Sequence, residues 1–358
     1  MTTVARAFVS SESPTMPRAG AGGRPCQGLY HHAEGTRPKV AIIATHYEVD
    51  FSEHYLAELA AERGVGFLGW NTRFRGNGGF FLLDQAITDI AVGVRWLRAE
   101  AGVETVVILG NSGGASLMGA YQSRALDDPD TFPPGDVFIS LCAHPGRPDV
   151  LTAWLDPSVT DETDPLATDP TLDMFDAANG PPYAPEFVER YRAAQVERNH
   201  RITAWCHDEL ARLRAGGARD RMFTIPRQWA DLRFVDLSLD PSERAAGCYA
   251  GDPQWANRSP YALAGPCTLR TWLDMWSLSE SPCRGTPHLG RITQPALVVQ
   301  STGDQGCFLS DARFIHDELG STDKTLELVP GDHYLTQPAG AREALADLIV
   351  SWIGERES

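Results

Sequence analysis

The residues of this chain best placed to do chemistry begin with Gly110-Asn111-Ser112-Gly113-Gly114, a serine with glycine two positions away on either side. The pentapeptide sits where an apolar run, Thr105 to Leu109, gives way to a small-residue helix opening Ala115-Ser116-Leu117-Met118. A serine at the tip of so sharp a strand-to-helix turn is driven to positive φ, and only small flanking residues let the turn close without clashes. Gly110 and Gly114 supply them. Such an elbow lifts the Ser112 hydroxyl clear of the sheet and leaves the Gly113 N–H at a helix start, aimed where an oxyanion would form. In a chain with 33 glycines the bare pattern says little; its position between strand and helix makes it specific.

Serine is a poor nucleophile unless an imidazole takes its proton, and the imidazole needs a carboxylate to fix its tautomer and stabilise its charged form. Two later segments offer those groups at the ends of expected strands: Ser301-Thr302-Gly303-Asp304 and Gly331-Asp332-His333-Tyr334. Asp304 is the expected partner of His333; Asp311 and Asp332 lie nearby, and Asp332, adjacent to the histidine, is expected to face away from it. His46, Glu48, Asp50 and His54 look like metal ligands on paper but lack ligand-like periodicity, so they are expected on a solvated surface. Asn77-Gly78-Gly79 lacks the lysine and glycine spacing of a phosphate loop.

Elements that could hold these groups alternate along the chain. Apolar runs at Val40 to Ala44, Gly66 to Trp70, Thr105 to Leu109, Val137 to Cys142, Ala296 to Ser301 and Thr325 to Val329 read as buried strands, with Gln27 to Ala33 alternating ahead of them. Helical spacing lies between them at Ser52 to Arg63, Leu83 to Arg98, Asp311 to Leu319 and Ala339 to Ile353. This predicts the α/β class: a doubly wound, mostly parallel sheet with right-handed crossovers, whose strand ends carry the site. Residues 25–145 and 291–358 are assigned to that core, 146–290 to a mainly helical insertion including Glu186 to Leu213, and 1–24 to a disordered or extended leader. Six of the nine tryptophans fall in the insertion, most of them expected in its own core.

Composition narrows the function. A net charge of −16 with no basic run argues against nucleic acid or an anionic membrane as partner. Seven scattered cysteines without a C-x-x-C pair suggest reduced thiols, neither disulfide framework nor zinc module. No stretch reads as a signal peptide or membrane span, so a soluble cytoplasmic protein acting on a small molecule is expected, with self-association left open.

The chain order Ser112, Asp304, His333 and the elbow resemble the α/β-hydrolase superfamily of serine hydrolases, with a cap inserted after the strand that follows the elbow. The resemblance covers nearly everything after residue 24. It implies Ser112 as nucleophile, His333 as general acid/base and Asp304 as its orienting acid, with no cofactor or metal required. It also implies a second oxyanion donor from the loop Ala44-Thr45-His46-Tyr47-Glu48; where many members carry His-Gly this chain has His46-Tyr47, and the Tyr47 N–H takes that place. His46, Asn111 and Trp154 are the expected pocket residues, and Asn71 to Gly76 resembles a structural loop of the family. The leading expectation is hydrolysis of a carboxylic ester or lactone of moderately large apolar or aromatic character. Carbon–carbon bond hydrolysis or acyl transfer by the same residues, and a non-catalytic binding protein on this scaffold, are the alternatives.

Overall fold

The computed structural model describes residues 2–20 and 22–356. Its strands are β1 (Val4–Ser11), β2 (Cys26–Ala33), β3 (Val40–Ala44), β4 (Gly66–Asn71), β5 (Thr105–Asn111) and β6 (Val137–Leu141). After a long insertion holding the two-residue strands β7 (Met222–Phe223) and β8 (Cys267–Thr268) come β9 (Ala296–Ser301) and β10 (Lys324–Val329). All but β7 and β8 form one eight-stranded sheet in the order β1-β2-β4-β3-β5-β6-β9-β10. The β1–β2 and β2–β4 pairs are antiparallel and the others parallel. The strand order reverses between β3 and β5, so the loops leaving those two strands part and frame a crevice at their carboxyl ends.

Helices α1 (Ala57–Glu62), α2 (Leu83–Trp96) and α3 (Gly114–Asp127) lie in the first half of the chain, and α4 (Arg147–Trp154), α5 (Pro185–Ala215), α6 (Pro253–Arg258) and the single turn α7 (Leu269–Thr271) in the insertion. Helices α8 (Leu309–Glu318) and α9 (Ala341–Gly354) complete the set. Successive strand residues point to opposite faces, and both faces are covered. Ile42, Val107, Ile139 and Leu297 pack with α1 and α9, while Ile43, Ile108, Phe138 and Val298 pack with α2, α3 and α8. That double burial is why these strands read as continuous apolar runs.

Residues expected in a leader behave differently. Val4–Ser11 pairs along its whole length with β2, from Val4 opposite Ala33 to Ser11 opposite Cys26. An edge strand bonds one neighbour only, and β1 buries Val9 while leaving Phe8 exposed, so its composition gives little sign of it.

The segment between β6 and β9 adds no strand to the large sheet among the described residues. It packs its own aromatic clusters, one around Trp154, Trp229 and Phe234 and another around Tyr183, Phe187 and Tyr191. Trp272 and Trp276 instead join the core, whereas Trp205 and Trp255 are exposed. All seven cysteines are free and buried. No helix among the described residues is long and apolar enough to cross a membrane.

Candidate active site

Ser112 follows β5 with φ of 55°, a left-handed conformation that costs a non-glycine residue about 1–2 kcal/mol. Bonds on both sides hold it there: its N–H donates to the Leu141 carbonyl at 2.9 Å, and its own carbonyl accepts from Ala115 N–H at 3.2 Å. Each glycine of the turn has a distinct steric reason. A Cβ on Gly110 would strike the Ala115 Cα, and one on Gly114 would strike the Thr45 carbonyl. Thus Gly114 is what lets the loop after β3 close on the elbow. A Cβ on Gly113 would lie 2.6 Å from Arg147 Nη1 and 2.9 Å from His46 Nε2, so two side chains press against the residue after the serine.

The strand ends beyond β6 carry the acid and the histidine. Asp304 Oδ2 lies 2.7 Å from His333 Nδ1, and both residues are buried. Asp304 Oδ1 accepts from the N–H groups of Gly306 and Cys307 and from the Tyr249 hydroxyl, each at 2.9 Å. Burial alone would raise the Asp304 carboxyl; the adjacent imidazole and these hydrogen bonds outweigh it and hold the carboxyl below its ordinary pKa. An ionised Asp304 places the proton of His333 on Nδ1 and leaves Nε2 as an acceptor. The other nearby acids are engaged elsewhere. Asp311 Oδ2 accepts from Phe308 N–H at 2.9 Å, and Asp332 caps its own turn through the N–H groups of Tyr334 and Thr336. No hydrogen bond joins Ser112 Oγ to His333 among the described residues.

Tyr249 was not singled out by sequence reasoning. Its hydroxyl, from the insertion, lies 2.9 Å from His333 Nδ1 as well as from Asp304, and its ring sits 4.4 Å from the imidazole. Separations of 55 and 84 residues left no local signal for this contact.

On the other side of the serine the loop after β3 brings in His46 and Tyr47. His46 Nδ1 faces the N–H groups of Glu48 and Val49 at 3.4 and 3.3 Å, which places its hydrogen on Nε2, towards Gly113. Burial, then the charge of Arg147 and the neighbouring His144 and His333, push its pKa well below normal and keep it neutral. Tyr47 is fully buried, with its hydroxyl 3.0 Å from Ser116 Oγ. The backbone N–H groups of Tyr47 and Gly113 have no hydrogen-bond partner among the described residues.

Several expectations need correcting. His46 and His54 are buried, not on a solvated surface; His54 stacks on Phe67 and Tyr55 and bonds Asn111 Oδ1 at 3.1 Å. Asn111 also donates to the Leu141 carbonyl at 2.8 Å, so both ends of its amide are engaged in the scaffold and not turned to a pocket. Trp154 is fully buried, its ring 4.9 Å from Trp229 and 5.9 Å from Tyr249.

Asp304, Cys307 and His333 gather closely enough to suggest a metal site. Their chemistry fits a hydrogen-bonded pair better. Asp304 is filled with donors, and burial followed by the Asp304 charge pushes the Cys307 thiol well above its usual pKa, away from the thiolate a metal needs.

A mostly parallel eight-stranded sheet with helices on both faces, a serine elbow after β5, an acid after β9 and a histidine after β10 fit the α/β-hydrolase fold, and this chain has it. Solved structures similar to it over nearly the whole chain include the α/β-hydrolase GrgF from Penicillium sp. sh18, with a TM-score of 0.53 and 11% identity over 98% of each chain. Est1E from Butyrivibrio proteoclasticus is similar at a TM-score of 0.51 and 11% identity, over 92% of this chain and 95% of that one. DcsB, solved in complex with its substrate analogue, gives 0.54 and 13% over 98% and 99%. No family model matches the sequence, and no curated protein matches it.

Proposed function

We propose that the protein is a serine hydrolase that cleaves a carboxylic ester or lactone through an acyl-enzyme. The observation that carries this reading is the left-handed Ser112 held at the end of β5, on the sheet edge that also bears the buried His333–Asp304 pair. His333 Nε2 takes the Ser112 proton as Oγ attacks the carbonyl carbon. The oxyanion rests on the N–H groups of Gly113 and Tyr47. Collapse breaks the bond to the alcohol oxygen, which receives the proton from Nε2. Water then attacks the acyl carbon, giving its proton to Nε2; the acid departs and the proton returns to Ser112 Oγ. The Ser112–His333 hydrogen bond forms when substrate closes the site, as such bonds often tighten only in the complex.

The insertion would act as a cap, since Tyr249 reaches from it to the acid and histidine. The test is a fluorophosphonate probe on wild type, Ser112→Ala and His333→Ala, read by intact mass. One adduct on wild type, absent from Ser112→Ala and much slower in His333→Ala, is expected. A folded wild type that takes no adduct would overturn the reading.

A further inference from the structure

Arg147 opens α4 at the start of the insertion, and only 3% of it is exposed. Its guanidinium lies 4.8 Å from the Tyr47 ring and 4.6 Å from that of Trp276, held between the two, with Nη1 against Gly113. No hydrogen bond leaves this guanidinium among the described residues, and its Nε is buried without a partner. Its single ion pair there is with Glu48, whose Oε1 stands 3.7 Å from Nη2, beyond hydrogen-bonding distance.

Other buried arginines of the chain show how a structural guanidinium is satisfied. Arg198, fully buried, donates to both carboxylate oxygens of Glu162 at 2.9 and 2.6 Å, and to the carbonyls of Asp156 and Pro226 at 2.7 Å each. Arg244, also buried, has an unpartnered Nε, yet one of its terminal nitrogens bonds the Leu239 carbonyl at 2.7 Å. Arg147 lacks any such bond. Stacking on two rings offsets part of the cost of burying a cation, but the donors of a planar fork still need acceptors. Two oxygens in one plane fit that fork best.

We infer that Arg147 receives a carboxylate of the substrate, so that the hydrolase acts on an ester or lactone carrying a free carboxylate near the scissile carbonyl. This rests on the serine hydrolase reading above and sharpens its substrate class. The cation lies beside the Gly113 Cα, while the oxyanion belongs at the Gly113 N–H, so the carboxylate is a second group on the substrate, separate from the reacting carbonyl. A cleft of about 270 Å³ is lined by two of the cation's neighbours, Glu48 and Trp276, with Met222, Pro266, Cys267 and Met275 giving it apolar walls. With a net charge of −16 the protein as a whole does not draw in anions, so the selectivity is local to this desolvated cation.

The experiment compares p-nitrophenyl hemiadipate with its methyl-capped diester on wild type, Arg147→Gln and Arg147→Lys, alongside fluorophosphonate labelling of each. Wild type is expected to favour the free carboxylate by about tenfold or more in kcat/KM, the range of a charge-assisted hydrogen bond. Arg147→Gln should lower kcat/KM on the free carboxylate by about tenfold more than on the capped ester, with Ser112 still labelled; Arg147→Lys should retain part of the preference. No preference in a wild type that labels normally overturns the carboxylate assignment alone, without reference to any variant. An equal fall on both esters in Arg147→Gln also overturns it, and would make Arg147 an oxyanion donor or a packing residue. A wild type that takes no label removes the hydrolase reading, and this inference with it.

Discussion

On the side of Ser112 that carries Asp304 and His333, the carboxylate accepts from an imidazole, a tyrosine hydroxyl and two backbone N–H groups. On the side that carries Gly113, Tyr47, His46 and Arg147, the backbone donors and the buried guanidinium have no acceptor among the described residues. A saturated network in a low-dielectric interior fixes the orientation of its members. Buried donors without acceptors cost about 1–3 kcal/mol each, and a fold that keeps them together is built to be completed by a ligand. On the proposed reading, one flank orients a proton acceptor and the other receives negative charge.

Breaking the orienting flank should have the largest effect. Ser112→Ala and His333→Ala are each expected to lower kcat by about 10⁴-fold or more; Ser112→Ala should leave the thermal midpoint unchanged, because alanine at 112 keeps the same backbone strain, whereas His333→Ala takes a partner from the buried Asp304 carboxylate and should lower it. Asp304→Asn should cost about 10³- to 10⁴-fold by leaving His333 in the wrong tautomer, whereas Asp311→Asn and Asp332→Asn should stay within a few-fold. A larger loss from either of the latter in steady-state kinetics would move the acid to that residue.

The receiving flank is more forgiving, because its donors act in parallel. Gly113→Ala places a methyl against Arg147 and His46, and about a 10²-fold loss in kcat/KM is expected from the displacement. Full activity in that variant would mean the two side chains do not matter to the reaction.

Solution pH probes both flanks at once. His46 lies well below the ordinary histidine pKa, His54 at about 4 and His144 at about 3, each chiefly through burial. All three are neutral when folded but gain protons in the unfolded chain below pH about 6.5. Their contribution to stability is complete above that pH and is lost as pH falls towards 4 and then 3. Urea unfolding at pH 7 and pH 5 should show His54→Phe or His144→Phe reducing the pH-dependent loss by about 1–2 kcal/mol each. Loss of the same size in variant and wild type would show that the imidazole already titrates normally. Smallest of all, Tyr249→Phe should lower kcat by roughly fivefold with little change in KM or thermal midpoint, since Asp304 keeps its other donors. A change in KM alone would make Tyr249 a substrate contact and not a positioning residue.

The central strands were legible because parallel strands buried on both faces must be short apolar runs, and Val40–Ala44 and Ala296–Ser301 match the sequence expectation to the residue. The elbow was legible because its sterics demand small residues at fixed offsets. β1 was not, because an edge strand with one partner needs little apolar content. His46 and His54 read as surface residues because their burial comes from long-range packing on Gly113 and Phe67, which no local pattern encodes. Arg147 had the same difficulty: an arginine opening a helix ordinarily points to water, and the rings of Tyr47 and Trp276 that enclose it are distant in sequence.

The insertion lends one side chain to each flank, Tyr249 to the acid and histidine and Arg147 to the loop beside Gly113. It is therefore more than a removable roof. A chimaera that exchanged residues 146–290 for the corresponding segment of another protein of this fold would remove the neighbour of His333 and the cation beside Gly113 in one step. Swapping such segments to alter substrate preference, a common strategy in enzyme recombination, would here need both residues carried across as a linked pair.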